Sequence, residues 1–132
     1  MPQGQSPRAL FPQSVVGFTV QANGNIPVMP ARFGMGSHEM VLWVVGNTSG
    51  QLVTVKLQNF LRDGQANDPV EPCVWLVSDS VQVANGQTAF IAGIKHPNYQ
   101  QRFLVDRVKY TIHVESAGFA AVDFDPDGDI KP

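Results

Sequence analysis

Met40–Leu57 reads MVLWVVGNTSGQLVTVKL, and the fold turns on how this stretch is read. Met40 to Val45 is an unbroken apolar run, too short for an ordinary helix and suited to a central strand covered on both faces. Gly46-Asn47-Thr48-Ser49-Gly50 follows, and these residue types accept tight backbone turns. Beyond the turn, Val53, Val55 and Leu57 alternate with Thr54 and Lys56, the period of two that gives a strand one apolar and one polar face. The stretch predicts two strands joined as a β-hairpin.

The same periodicity extends outward in both directions. Val16, Phe18 and Val20 alternate within Ser14–Gln21, predicting a first strand that ends near Asn23-Gly24. Residues 22–39 carry Gly24, Pro27, Pro30, Gly34 and Gly36 among Met29, Phe33 and Met35, predicting an irregular connection that still covers apolar surface. Residues 60–72 form a second connection with strong turn chemistry, and Cys73–Val77 is a short apolar strand. Ser80–Val83 and Thr88–Lys95 flank an Asn85-Gly86 turn. Residues 96–106 are compatible with one helical turn begun at Pro97. Arg107–Glu115 alternates throughout, and Phe119–Phe124 precedes an acidic end.

Eight candidate strands, separated by turn signals and with no amphipathic helix between them, predict an all-β fold. The expected form is an antiparallel two-sheet sandwich, immunoglobulin-like, of about seven to eight strands. Pro2, Pro7 and Pro12 mark residues 1–12 as an N-terminal arm, leaving 13–132 as a single sandwich domain with an acidic C-terminal end. At 132 residues and 43% hydrophobic content, one core is what the chain can bury. Trp43 and Trp75 are expected inside it.

The formal charge of -2 supplies no strong field toward nucleic acid or an anionic membrane, and no stretch of about 20 apolar residues is present. Neither nucleic-acid binding nor membrane insertion is expected. The start MPQGQSPR has no signal-peptide pattern, and the compartment is left open. A single cysteine, Cys73, cannot close an internal disulfide.

The segments GNTSGQ into LVTVKL, SVQVANGQTAFI and the late YTIHVES strand together resemble small bacterial immunoglobulin-like sandwich domains. That resemblance implies adhesion, spacing or partner binding rather than catalysis. The neighbouring alternative is a cupredoxin-like sandwich. Its copper site needs a Cys with a His close behind, whereas Cys73 is followed by Val74-Trp75-Leu76-Val77 and meets no His before His96.

Two metal sites are candidates. Asp123, Asp125, Asp127 and Asp129, with Gly128, reproduce the D-x-D-x-D-G opening of a calcium loop, although the closing Glu would fall beyond Pro132. Without those four carboxylates, residues 1–122 carry eight basic and seven acidic side chains, so the remainder is nearly neutral. Met35, His38 and Met40 offer a soft set for Cu(I), or simply fill gaps beneath a glycine-rich loop. No cofactor other than calcium or copper is suggested.

No nucleophile motif, carboxylate pair or phosphate cradle accompanies the scattered His38, His96 and His113, so an enzyme is not expected. RFLVDRVKY groups Arg102, Arg107 and Lys109 with Phe103 and Tyr110, but Asp106 interrupts it. Asn47-Thr48-Ser49 is formally a glycosylation acceptor and first of all a turn. The sequence therefore predicts a non-catalytic binding or interaction module for a protein partner. Metal binding and a self-assembling structural component are the alternatives.

Overall fold

A computed structural model describes residues 11–62 and 73–132 of the chain. The expected arm lies outside these residues except for its last two positions, as does most of the 60–72 connection. Ten strands occur among the described residues: β1 (Phe11–Val20), β2 (Phe33–Met35), β3 (Glu39–Asn47), β4 (Val53–Arg62), β5 (Val74–Leu76), β6 (Ser80–Val83), β7 (Thr88–Lys95), β8 (Asp106–Ser116), β9 (Phe119–Phe124) and β10 (Asp127–Ile130). They form two sheets, one ordered β1-β3-β7-β5 and the other β2-β10-β8-β4-β6, with β9 paired to the far end of β8. The architecture is the two-sheet sandwich that the alternation predicts. Six of the pairings are antiparallel, while β1–β3 and β2–β10 are parallel.

The hairpin expected over Met40–Leu57 does not form. β3 and β4 lie in different sheets, so the turn between them crosses the sandwich. Both strands are apolar on one face, and crossing lets Val41, Trp43 and Val45 meet Val53, Val55 and Leu57 through the core, all essentially inaccessible to water. A hairpin would have put both apolar faces on one sheet. Asn85-Gly86 likewise joins β6 in one sheet to β7 in the other.

Asn47 ties the two crossings together. Its Nδ2 donates to the carbonyls of Gln51 (2.7 Å) and Val83 (2.8 Å), and its Oδ1 accepts from the Ser49 N–H at 2.9 Å. The Gly86 N–H donates to the Asn47 carbonyl at 2.7 Å, and the Gly50 N–H to Asn85 Oδ1 at 2.8 Å. The buried amide of Asn47 is thus consumed inside the fold, and the glycosylation pattern is structurally a corner lock.

Between the sheets, Phe33, Trp43, Phe60 and Tyr110 form an aromatic cluster. Phe60 and Tyr110 stack with centroids 4.9 Å apart, and Phe33 meets Trp43 edge-on at 5.5 Å. Trp43 Nε1 donates to the Tyr110 hydroxyl at 3.1 Å, which satisfies both polar tips inside the core. Burial pushes the Tyr110 phenol up to about 12.

Four further expectations change. Residues 22–39 are not wholly irregular, since Ala22–Gly24 is a 3-10 turn and Phe33–Met35 is β2. No helical turn follows Pro97; the Tyr99 N–H closes a turn onto the His96 carbonyl at 3.0 Å. The acidic end is β10, where inward Gly128 and Ile130 alternate with outward Asp127 and Asp129. Finally, Trp75 is 57% exposed, because β5 turns Val74 and Leu76 toward the core and its middle residue outward.

Candidate functional site

The outer faces of the two sheets have opposite chemistry. On the six-stranded sheet, every second residue of β8 faces out, and its neighbours are charged. Lys56 pairs Glu115 at 3.5 Å, and Lys109 pairs Asp127 at 3.0 Å. Arg32 bridges Asp129 (2.9 Å) and Asp127 (3.3 Å). His113 is hydrogen-bonded through Nδ1 to Asp123 (2.5 Å) and through Nε2 to Glu115 (2.9 Å), both ring nitrogens donating when the imidazole is protonated, and this joins β8 to β9. Those hydrogen bonds to Asp123 and Glu115 outweigh partial burial and raise the imidazole pKa, while the bond from His113 and the charge of Lys56 lower that of Glu115.

The four-stranded sheet is different. Alternation along β1, β3, β7 and β5 sends Val15, Leu42, Val44, Phe90, Ala92 and Trp75 outward. Register makes them neighbours: Val15 lies beside Leu42 and Leu42 beside Ala92, while Val44 lies beside Phe90. Val15 is 60% exposed and Phe90 59%. Gly17, Gly46 and the Thr side chains at 19 and 88 complete the face at one end, and there, against Pro27 and Val28, it dips into a groove of about 440 Å³. From Ser14 to Thr19 and across Met40–Gly46, Thr88–Ile94 and Val74–Leu76 no residue is charged.

The apolar run Met40–Val45 thus has a different explanation from the one its composition suggested. Only one of its faces is buried in the core, and Leu42 and Val44 remain partly open on the outside. Continuous apolar sequence predicts coverage on both faces. In the described structure the second face has no covering element.

The candidate metal residues occupy separate environments. Asp123 sits on β9 against His113, and Asp125 accepts from Thr111 Oγ1 at 3.2 Å. Asp127 and Asp129 face Arg32 and Lys109. An extended strand spreads alternate carboxylates along one face instead of wrapping them around one cation. Gly128 lies under the Phe33 ring, where a Cβ would come within 1.9 Å of a ring carbon. Its role is to let an aromatic ring cross the strand, a close approach that no sequence signal distinguished from a loop bend.

The copper set divides as well. Met35 is fully buried in the core, His38 is exposed with φ of 64°, and Met40 faces the other side of β3 from inward Val41. Cys73 is a buried thiol beside the core. Among the described residues, no group of three or more His, Cys, Asp or Glu is arranged to hold a metal ion, and the cupredoxin-like alternative gains no support.

These features define an immunoglobulin-like β-sandwich, and its fold is similar to that of PapD-like domains and chaperones. No protein-family profile and no curated protein sequence matches the chain. Among solved structures, it is similar to the CupB2 chaperone of Pseudomonas aeruginosa, with a TM-score of 0.64 and 16% identity over 77% of this chain and 53% of that one. It is also similar to the Escherichia coli chaperone DraB, with a TM-score of 0.61 and 11% identity over 89% of this chain and 56% of that one. PapD-like domain 7 of human CEP192 aligns over 99% of this chain and 91% of its own, with a TM-score of 0.50 and 7% identity. The chain spans about half the length of the chaperones. At these identities the likeness establishes the fold.

Proposed function

We propose that the chain is a non-catalytic protein-binding module whose contact surface is the outer face of the four-stranded sheet, built by Val15, Leu42, Val44, Trp75 and Phe90. The observation that carries this reading is that an uncharged sheet face keeps Trp75 and Phe90 more than half exposed. Exposed aromatic residues in a contiguous apolar patch are what protein contacts select, and isolated surface hydrophobes do not gather this way. A face without charge fits an apolar surface on the partner, because an opposing charge would be desolvated with nothing to pair it.

The fold neighbours support the reading by analogy. One is a chaperone in a pre-assembly complex with a tip adhesion subunit, and another is the SafB chaperone bound to the SafA pilin. Photo-crosslinking residues placed at position 90, and separately at Lys56 on the charged face, test it in cells. Protein adducts at position 90 and few at position 56 are expected. Equal yields, or adducts only at position 56, would refute the sheet face as the contact. Adducts to a second copy of this chain would select the self-assembling alternative.

A further inference from the structure

The loop from His96 to Val105 carries a second apolar feature, separate in kind from the sheet face. Phe103, Leu104 and Val105 are 71%, 80% and 42% exposed. Three consecutive exposed apolar residues on a connection contribute little to the core and would be replaced by polar ones if the loop merely joined two strands. Yet much of the polar structure around it serves to hold the loop in shape. Asp106, almost fully buried, accepts from the Tyr99 hydroxyl (2.6 Å), the Arg102 N–H (2.9 Å) and the Phe103 N–H (2.8 Å). Gln101 Nε2 donates to the carbonyls of Phe103 (2.9 Å) and Ile130 (2.8 Å), and Gln101 Oε1 accepts from Lys95 Nζ at 3.0 Å. Burial alone would raise the Asp106 pKa, but the three donors and the Arg62 charge hold it below the ordinary carboxylate value.

Three physical arguments bear on what such a tip meets. The tip projects no hydrogen-bonding side chain from residues 103–105, so its side chains can enter hydrocarbon with no polar group to desolvate. Two of its backbone groups, the Phe103 N–H and carbonyl, are satisfied inside the loop, as is the adjoining Arg102 N–H. That matters most in hydrocarbon, where an unmet backbone group is most costly. Its flanks carry more cations than anions: Arg102 and Arg107 are exposed on either side, Lys95 stands at the root, Asp106 is turned inward, and Asp129, opposite Arg107 on β10, is paired with Arg32. We propose that Phe103-Leu104-Val105 is a peripheral anchor that enters the headgroup boundary of an anionic lipid bilayer, with Arg102 and Arg107 at the level of the lipid phosphates.

The expectation against membrane contact rests on net charge and on the absence of a spanning segment. Both are whole-chain quantities, and neither registers a local tip with its own charge sign. No helix among the described residues is long and apolar enough to cross a membrane, and a peripheral anchor needs none.

Flotation of the full chain with vesicles tests the proposal, using phosphatidylcholine alone and phosphatidylcholine containing about 30% phosphatidylglycerol. Binding to the anionic vesicles is expected, weakening as salt rises. Leu104→Asp should weaken it by about tenfold or more, and Arg107→Gln by a few-fold. Both variants should melt at the wild-type temperature, since neither side chain is in the core. Phe90→Asp, on the sheet face, should bind vesicles as the wild type does. Absence of binding to either vesicle, or binding untouched by Leu104→Asp, would overturn the anchor. So would binding lost in Phe90→Asp instead, or concentration-dependent dimers in solution that Leu104→Asp dissolves, which would show the tip seated on another protein chain.

Discussion

Trp43 and Trp75 are both tryptophans in short apolar runs, yet one is wholly buried and the other 57% exposed. Trp43 packs against Phe33, Phe60 and Tyr110 and shares a hydrogen bond with the Tyr110 hydroxyl. Trp43→Ala should cost about 3–5 kcal/mol in denaturant unfolding, from lost burial and the cavity left behind. An unchanged midpoint would show that the aromatic cluster is not the core's anchor. Among the described residues, the aromatic neighbour of Trp75 is the His96 ring, with centroids 6.3 Å apart. Trp75→Phe should leave a single blue-shifted emission that acrylamide barely quenches, whereas Trp43→Phe should leave one that is readily quenched. Gly128→Ala is a sharper probe of packing: the added methyl collides with the Phe33 ring, and a loss of about 1–3 kcal/mol is expected by the same unfolding measurement.

At the scale of elements, β9 has one sheet partner, β8, and His113 fastens it with Asp123 opposite and Glu115 two residues along its own strand. Lys56 on β4 faces His113 from the other side, and Thr111 with Asp125 completes the row. Because the folded-state pKa of His113 lies above its unfolded value of about 6.5, its stabilisation is complete below that value and disappears as pH rises through the raised one. Glu115 works in the opposite direction, losing its contribution as pH falls through its lowered pKa. His113→Gln should therefore destabilise the chain most near about pH 6, with the difference from wild type shrinking toward about pH 9. Amide exchange across β9 should follow the same course, and a pH-independent difference would contradict it. β10 makes a related prediction. With Asp127 and Asp129 opposite Arg32 and Lys109, millimolar calcium should leave the melting temperature unchanged, while a calcium-specific rise would restore the acidic segment as a cation site.

For the whole molecule, the contrast between one charged and one apolar outer face leads to the proposed protein contact. Trp75→Asp should abolish partner crosslinking from position 90 while leaving the fold intact, because the Trp75 side chain points away from the core. Much of this architecture is legible along the chain. The alternation of Val53-Thr54-Val55-Lys56-Leu57 and of Arg107–Glu115 is a property of neighbouring residues, so the sequence alone determines that these are strands, which side is apolar, and that the fold is an all-β sandwich. Sheet membership is a different kind of quantity. Whether β3 and β4 form a hairpin or cross the core depends on where Val41, Trp43 and Val45 find their complement, and local turn chemistry is the same in both cases. For the same reason, an aspartate-rich segment read as a loop becomes β10 once Gly128 lies under Phe33. Composition records that Leu42, Val44, Phe90 and Trp75 are apolar, but only tertiary structure decides that they share one face and that nothing described covers it, because burial belongs to the assembled surfaces and not to any residue by itself.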